Sequence, residues 1–264
     1  MTSAWLRPPP PVATVVAGRE RRVLHWEIAL VLLVTLGMSG LRSLVSLLDS
    51  LAAPAPLSDQ SVAINVPQAS ADLLDLAGQL LSILRLTAWG GLGIFLLWRG
   101  GLALRAVGLD RSAPRRDLLS GAGLAALIGI PGLGFYLVTR AIGINLTVVP
   151  TELGDTWWRV PVLVGAAMAN AWAEEALVVA YLITRLRQLG WSENRSLLAS
   201  ALLRGSYHLY QGFGGFLGNV VLGLVFGRVW QRTHRLWALV VGHALIDVVA
   251  FVGYALLAPH VGWL

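Results

Sequence analysis

The sequence predicts an all-α fold, a polytopic integral membrane helix bundle of about seven transmembrane helices. Three observations predict it. Of the 264 residues, 56% are hydrophobic and only 13% are charged, and the mean hydropathy is +0.69. A soluble domain of that length carries about a quarter charged residues, which it needs to cover its core. The apolar residues also fall in runs close to the roughly 20 that cross a hydrocarbon core. Finally, the arginines gather between those runs, on alternate loops.

Residues 1–23 read as a cytoplasmic tail with a proline tract, Pro8 to Pro11, followed by the basic Arg19, Arg21 and Arg22. The apolar run after them is too long for the core of a cleavable signal peptide. The candidate spans are 24–48, 77–98, 117–139, 159–184, 195–211, 214–231 and 236–257, and six to eight spans fit the same pattern. The first three lie in an N-terminal region, 24–154. The remainder form a second bundle over 155–257, and 258–264 read as a C-terminal tail. Only Gly212 and Phe213 separate the fifth and sixth spans, which predicts a tight helical hairpin.

Charge orients this layout. The tail carries Arg7, Arg19, Arg21 and Arg22, whereas the loop 49–76 has Asp49, Asp59, Asp72 and Asp75 and no arginine. The next loop has Arg99, Arg105, Arg111, Arg115 and Arg116. In the loop 140–158, Glu152 and Asp155 offset Arg140 and Arg159. Arg185 and Arg187, then Arg232 and Arg235, mark the later basic loops. The positive-inside rule therefore places the N-terminus in the cytoplasm and the C-terminus outside, in a multi-pass cell-membrane protein. Trp157, Trp158 and Trp191, near span ends, fit an aromatic belt. The net charge of +6 comes from arginines scattered among apolar runs, which suits an anionic leaflet and not a nucleic acid. The absence of cysteine excludes disulfides, cysteine-bound clusters and thiol nucleophiles.

The later spans hold ionisable groups where each costs a few kcal/mol, so they are functional candidates by default. The fourth span has Asn170, Glu174 and Glu175; the fifth has Arg204 and His208; the sixth has Asn219; the seventh has His243 and Asp247. His243 and Asp247 are four apart, as are Arg204 and His208, and Asn170 and Glu174, so each pair shares a helix face. Adjacent Glu174 and Glu175 project about 100° apart, so one can face a site while the other braces a neighbour. At 1.5 Å per residue, Glu174 lies about 15 Å from the cytoplasmic end of its span, His208 about 20 Å and His243 about 10 Å. One cavity could hold all three. A buried glutamate can take a proton from water and return it to a leaving amine, with a histidine sharing the water. A second histidine and Asp247 can donate to an oxyanion. The expectation is a site without cofactor. The alternative metal set, Glu174, His208 and His243, could hold zinc, since two histidines and a carboxylate suffice, but no H-E-x-x-H helix is present. Asn170 and Asn219 are read as interhelical hydrogen-bond partners. Tyr207 is read as packing or substrate contact, and His25, His234 and His260 as solvated.

The run Glu174-Glu175, then His208, then His243-x-x-x-Asp247, resembles the CAAX protease and bacteriocin-processing family of intramembrane glutamic endopeptidases, over about residues 155–257. The resemblance implies that Glu174 activates the hydrolytic water with His208 as partner. It implies that His243 and Asp247 form the oxyanion hole, with Glu175 supporting. It implies a membrane-associated protein or peptide substrate. Three positions depart from the family pattern. Val179 stands where the first motif usually has arginine, Arg204 where the second usually has an aromatic residue, and Asp247 where the third often has asparagine. We expect Arg204 to replace the missing cation by pairing with Glu175 across helices. The rival readings are a non-catalytic scaffold or bacteriocin-immunity protein on the same fold, and a proton-coupled transporter.

Overall fold

The computed structural model describes residues 14–258; Arg7, the tract Pro8 to Pro11 and His260 lie outside the described residues. The helices are α1 (Gly18–Val34), α2 (Leu36–Ala52), α3 (Asp72–Arg99), α4 (Pro114–Ala141), α5 (Arg159–Glu174), α6 (Leu182–Gln188), α7 (Glu193–Ser206), α8 (Phe213–Thr233) and α9 (Leu236–Leu257). A π-helical stretch, Glu175–Tyr181, joins α5 to α6 without a break. Among the described residues, five helical stretches are long and apolar enough to cross a membrane: α3, α4, the continuous Arg159–Gln188, α8 and α9. The pair α1 and α2 makes a sixth if counted as one span.

The span expected over 24–48 is therefore not one straight helix. It starts earlier, at Gly18, inside the segment read as a tail, and bends by 50° between α1 and α2. At the bend the Thr35 hydroxyl donates to the Val31 carbonyl at 2.6 Å, a side-chain bond that competes with the helix ladder. The span expected over 195–211 is also corrected. Its helix, α7, has 14 residues, about 21 Å of rise against a hydrocarbon core of about 30 Å. Ser192 caps its start by accepting from the Arg195 N–H. The chain after Ser206 turns irregularly to Gly212, so the reversal before α8 is longer than the expected two residues.

Two strands, β1 (Ser61–Asn65) and β2 (Thr147–Thr151), pair in parallel with Ser61 opposite Thr147 and Asn65 opposite Thr151. They lie in the two arginine-poor loops, which the charge layout puts on one side. The third turn on that side joins them: Asn145 bridges Gly212, and its side-chain oxygen accepts from the Gly215 N–H at 2.9 Å. Gly212 has φ +105°, and a Cβ there would sit 2.7 Å from the Ile144 carbonyl oxygen. Gly212→Ala is thus expected to cost about 1–3 kcal/mol, read as a lower unfolding midpoint in mild detergent.

The centre of the bundle is α5 with its continuation, whose most apolar window is 67% buried against 11% for α4. It packs on α3 and α9, with α4 against α9 and α7 against α8. Glycines set the closest approach: a Cβ on Gly223 would meet the Ala201 backbone at 2.9 Å. Arg185 ties the end of this unit to its neighbours, bonding Glu27 at 2.9 Å, Gln188 at 2.8 Å and the Leu96 carbonyl at 2.8 Å. Of the expected aromatic belt, Trp157 and Trp191 are exposed, but Trp158 is buried and donates to Asp72 at 3.0 Å. That hydrogen bond gives the indole N–H a partner inside, and Asp72 belongs to the first turn of α3, not to a loop.

Candidate active site

Glu174 and Glu175 stand where α5 gives way to the π-helical stretch. A π turn is rare and recurs at functional positions because it changes the register of the side chains around it. Here all seven of its residues are buried. Its altered ladder is supported from α7, where the Ser200 hydroxyl donates to the Val178 carbonyl at 2.7 Å. The two carboxylates thereby meet different partners.

Glu175 is fully buried, and its Oε1 accepts from Arg204 Nη2 at 2.6 Å and from His243 Nδ1 at 2.8 Å. The expected cross-helix pair of Arg204 and Glu175 is present. Arg204 has no exposed surface, and its Nη1 lies 3.6 Å from Glu174 Oε2, so one guanidinium faces both glutamates. Glu174 also accepts from the Tyr207 hydroxyl at 2.7 Å. Tyr207 was read from the sequence only as packing or substrate contact. The available signal was its place three residues after Arg204, which puts both on one side of the same chain segment.

His208 donates from Nδ1 to the Arg204 carbonyl at 2.9 Å. A carbonyl only accepts, so the proton sits on Nδ1 and the neutral ring has its lone pair on Nε2. The Tyr207 ring lies 4.8 Å from the His208 ring, centroid to centroid. His243 is buried, with Phe226 edge-on at 6.4 Å. Its Nε2 lies 3.6 Å from Asp247 Oδ2, and that oxygen accepts from Asn170 Nδ2 at 2.9 Å. Nδ1 already donates to Glu175, so His243 can donate from Nε2 only as a doubly protonated ring. Asp247, equally, can donate to an oxyanion only when it carries a proton.

The structure thus brings together Glu174, Glu175, Arg204, His243, Asp247 and Asn170 through direct contacts, with His208 held beside them through the Arg204 backbone. Asn170 is an interhelical partner, as expected. Asn219 is not, because it donates to the Gly215 carbonyl of its own helix at 3.0 Å. His234 is also corrected. It is half-buried in a left-handed conformation, φ 48°, with Nε2 shielded and unpartnered among the described residues, where the tight end of α8 turns it inward. Among the described residues no group of three His, Cys, Asp or Glu side chains is spaced as metal ligands would be. Glu174 Oε2, His208 Nδ1 and His243 Nδ1 are engaged by Tyr207, a backbone carbonyl and Glu175.

Chemically, the cluster offers a buried carboxylate, a neutral imidazole nitrogen, a fixed cation and a second imidazole beside a carboxylate. Glu175 Oε2 and Arg204 Nε are buried and unpartnered among the described residues, two polar atoms that a water or substrate group would satisfy. Residues 156–249 match the family described as Type II CAAX prenyl endopeptidase, Rce1-like, the CAAX protease family that the motifs resemble. The matched segment begins just before α5 and ends within α9, so it contains every residue of the cluster. No curated protein and no solved structure matches the chain. The matched segment is thus similar to a CAAX-type protease family, and it lies among helices long and apolar enough to cross a membrane.

Proposed function

We propose that the chain is an intramembrane endopeptidase in which Glu174 and His208 activate a water that attacks a peptide carbonyl. The oxygen of that water bonds to the carbonyl carbon, and its proton passes to the Glu174 carboxylate. The carbonyl oxygen becomes an oxyanion, which takes hydrogen bonds from His243 and a protonated Asp247. Collapse breaks the carbon–nitrogen bond, and Glu174 returns the proton to the leaving amine. Arg204 and Glu175 hold the cluster together and do not touch the reacting atoms. The bond from Tyr207 occupies one oxygen of Glu174 and leaves the other for the water.

The observation that carries this reading is the convergence of Glu174, Glu175 and His243 around one buried arginine, from three separated stretches of chain. A transporter would also bury carboxylates, but the order of the motifs and the family match favour hydrolysis. The family description suggests a prenylated C-terminal motif as substrate, delivered from the lipid. The N-terminus is assigned to the cytoplasm on the arginine distribution alone.

The test is cleavage of a quenched fluorogenic peptide by the purified chain in liposomes, with farnesylated and unfarnesylated versions side by side. Cleavage of the farnesylated peptide by wild type is expected, with incorporation of one oxygen from labelled water. His208→Ala is expected to reduce the rate about 10²–10⁴-fold, the usual contribution of a positioned base. Equal rates for wild type and His208→Ala would reject the role of His208. No cleavage of either peptide, with the protein folded, would favour the scaffold or immunity reading.

A further inference from the structure

At the arginine-rich end of the bundle, α4, α8 and α9 leave between them a groove of about 240 Å³ that is separate from the glutamate cluster. Its polarity changes along its length. Arg116 and Thr233 stand at the mouth, Ser120 one turn further in, and Leu124, Val229 and Ala238 form the inner part. Arg116 and Leu124 are eight residues apart on α4, about 12 Å along the axis. That is the layout of a membrane interface, charged at one end and hydrocarbon at the other. Leu124 and Ala238 are buried, so an empty groove would bring water against an apolar floor.

Asp117 and Arg235 also line the groove, and Arg116 still leaves its mouth positive because Arg235 pairs with both nearby acids. Arg235 bonds Asp110 at 2.9 Å and grips Asp117 with two nitrogens, at 2.9 and 2.5 Å. Hydrogen bonds from Ser112, reinforced by Arg235, hold the Asp110 carboxyl down to about 2, so it is ionised at physiological pH. Neither acid is left to neutralise Arg115 and Arg116, which are exposed on the first turn of α4.

We propose that this groove holds an anionic phospholipid from the leaflet the arginines face, its phosphate at Arg116 and an acyl chain along Leu124, Val229 and Ala238. The complementary charge selects an anionic over a zwitterionic headgroup, and the apolar inner part selects a lipid over a free anion. The proposal does not depend on the proteolytic reading.

The experiment is native mass spectrometry of the full chain released from nanodiscs of equal phosphatidylglycerol and phosphatidylcholine. A retained phosphatidylglycerol adduct is expected in clear excess. Arg116→Ala should lower that preference about fivefold, the usual worth of one arginine at an anionic surface, while Arg115→Ala, outside the groove, should change it little. Gly123→Trp provides a second probe. Gly123 lines the groove and a Cβ there meets nothing within 4 Å, so the side chain starts from open space, and an indole there should displace the lipid while the unfolding midpoint stays near wild type. Equal retention of the two lipids, equal effects of Arg115→Ala and Arg116→Ala, or an adduct that survives Gly123→Trp would each overturn the proposal. So would displacement by excess inorganic phosphate, which would indicate a free-anion site.

Discussion

Arg204→Ala is expected to destabilise the protein by about 3–5 kcal/mol, the cost of leaving one partner of a buried ion pair uncompensated. Both partners here have no exposed surface, and Glu175 Oε2 has no other partner among the described residues. Removing the guanidinium would strand a carboxylate, with only His243 still donating to it. Glu175→Gln alone should cost comparably, because the amide oxygen can still accept from Arg204 but no longer balances its charge, leaving only the 3.6 Å approach to the Glu174 carboxylate. The double variant Glu175→Gln, Arg204→Met should recover much of the loss, since two neutral side chains of similar volume need no compensation. Unfolding free energies in mixed micelles would give the coupling. Additive single effects would mean that the 2.6 Å contact contributes nothing specific. Arg204→Lys is expected to restore only part of the stability, because an ammonium cannot address both glutamates with a fixed fork.

Glu174→Gln is expected to lower peptide cleavage about 10²–10⁴-fold while leaving the unfolding midpoint close to wild type. The two effects separate because the amide oxygen can still accept from Tyr207, and the shape is unchanged, yet an amide cannot take a proton from water. Tyr207→Phe should lie between the two, with activity reduced about tenfold, because the hydroxyl orients the carboxylate without exchanging protons with substrate. A Glu174→Gln variant that cleaves at the wild-type rate would end the hydrolytic assignment for this residue. A variant that is merely unfolded would show instead as a lost thermal transition.

The features that the sequence made legible are those that depend on composition and on separation along the chain. Runs of apolar residues located α3, α4, α8 and α9, because a membrane span is defined by length and hydropathy. The charge balance among Glu174, Glu175 and Asp247 pointed to Arg204 as a partner across helices, since a cation was needed and Arg204 lies one turn before His208 on the next span. Features that depend on local bond competition were not legible. The Thr35 bend rests on one hydroxyl choosing a carbonyl, and threonine occurs in many straight helices. The strand pair joins residues 61–65 to 147–151 across more than eighty positions, and five β-branched or small residues in a loop carry no distinctive period. Trp158 was assigned to a lipid interface because tryptophans gather there, but Asp72, 86 residues away along the chain, supplied an acceptor that spacing could not reveal.

The wide turn from Glu175 to Tyr181 makes the length of this stretch a mechanical setting. Its i→i+5 ladder accommodates slack that a tighter spiral would expel. Deleting a single residue there, such as Val178, would let the ladder close to i→i+4 with the flanking turns kept nearly in phase, because the wide turn holds one residue more than an α-turn over the same path. Arg185 would then stay within reach of Glu27, while the buried side chains between Glu175 and Tyr181 would shift around the axis. Point substitutions at these seven positions trade one side chain for another, whereas a one-codon loss would rotate the buried face beside Glu175 and leave the Arg185 mooring in place.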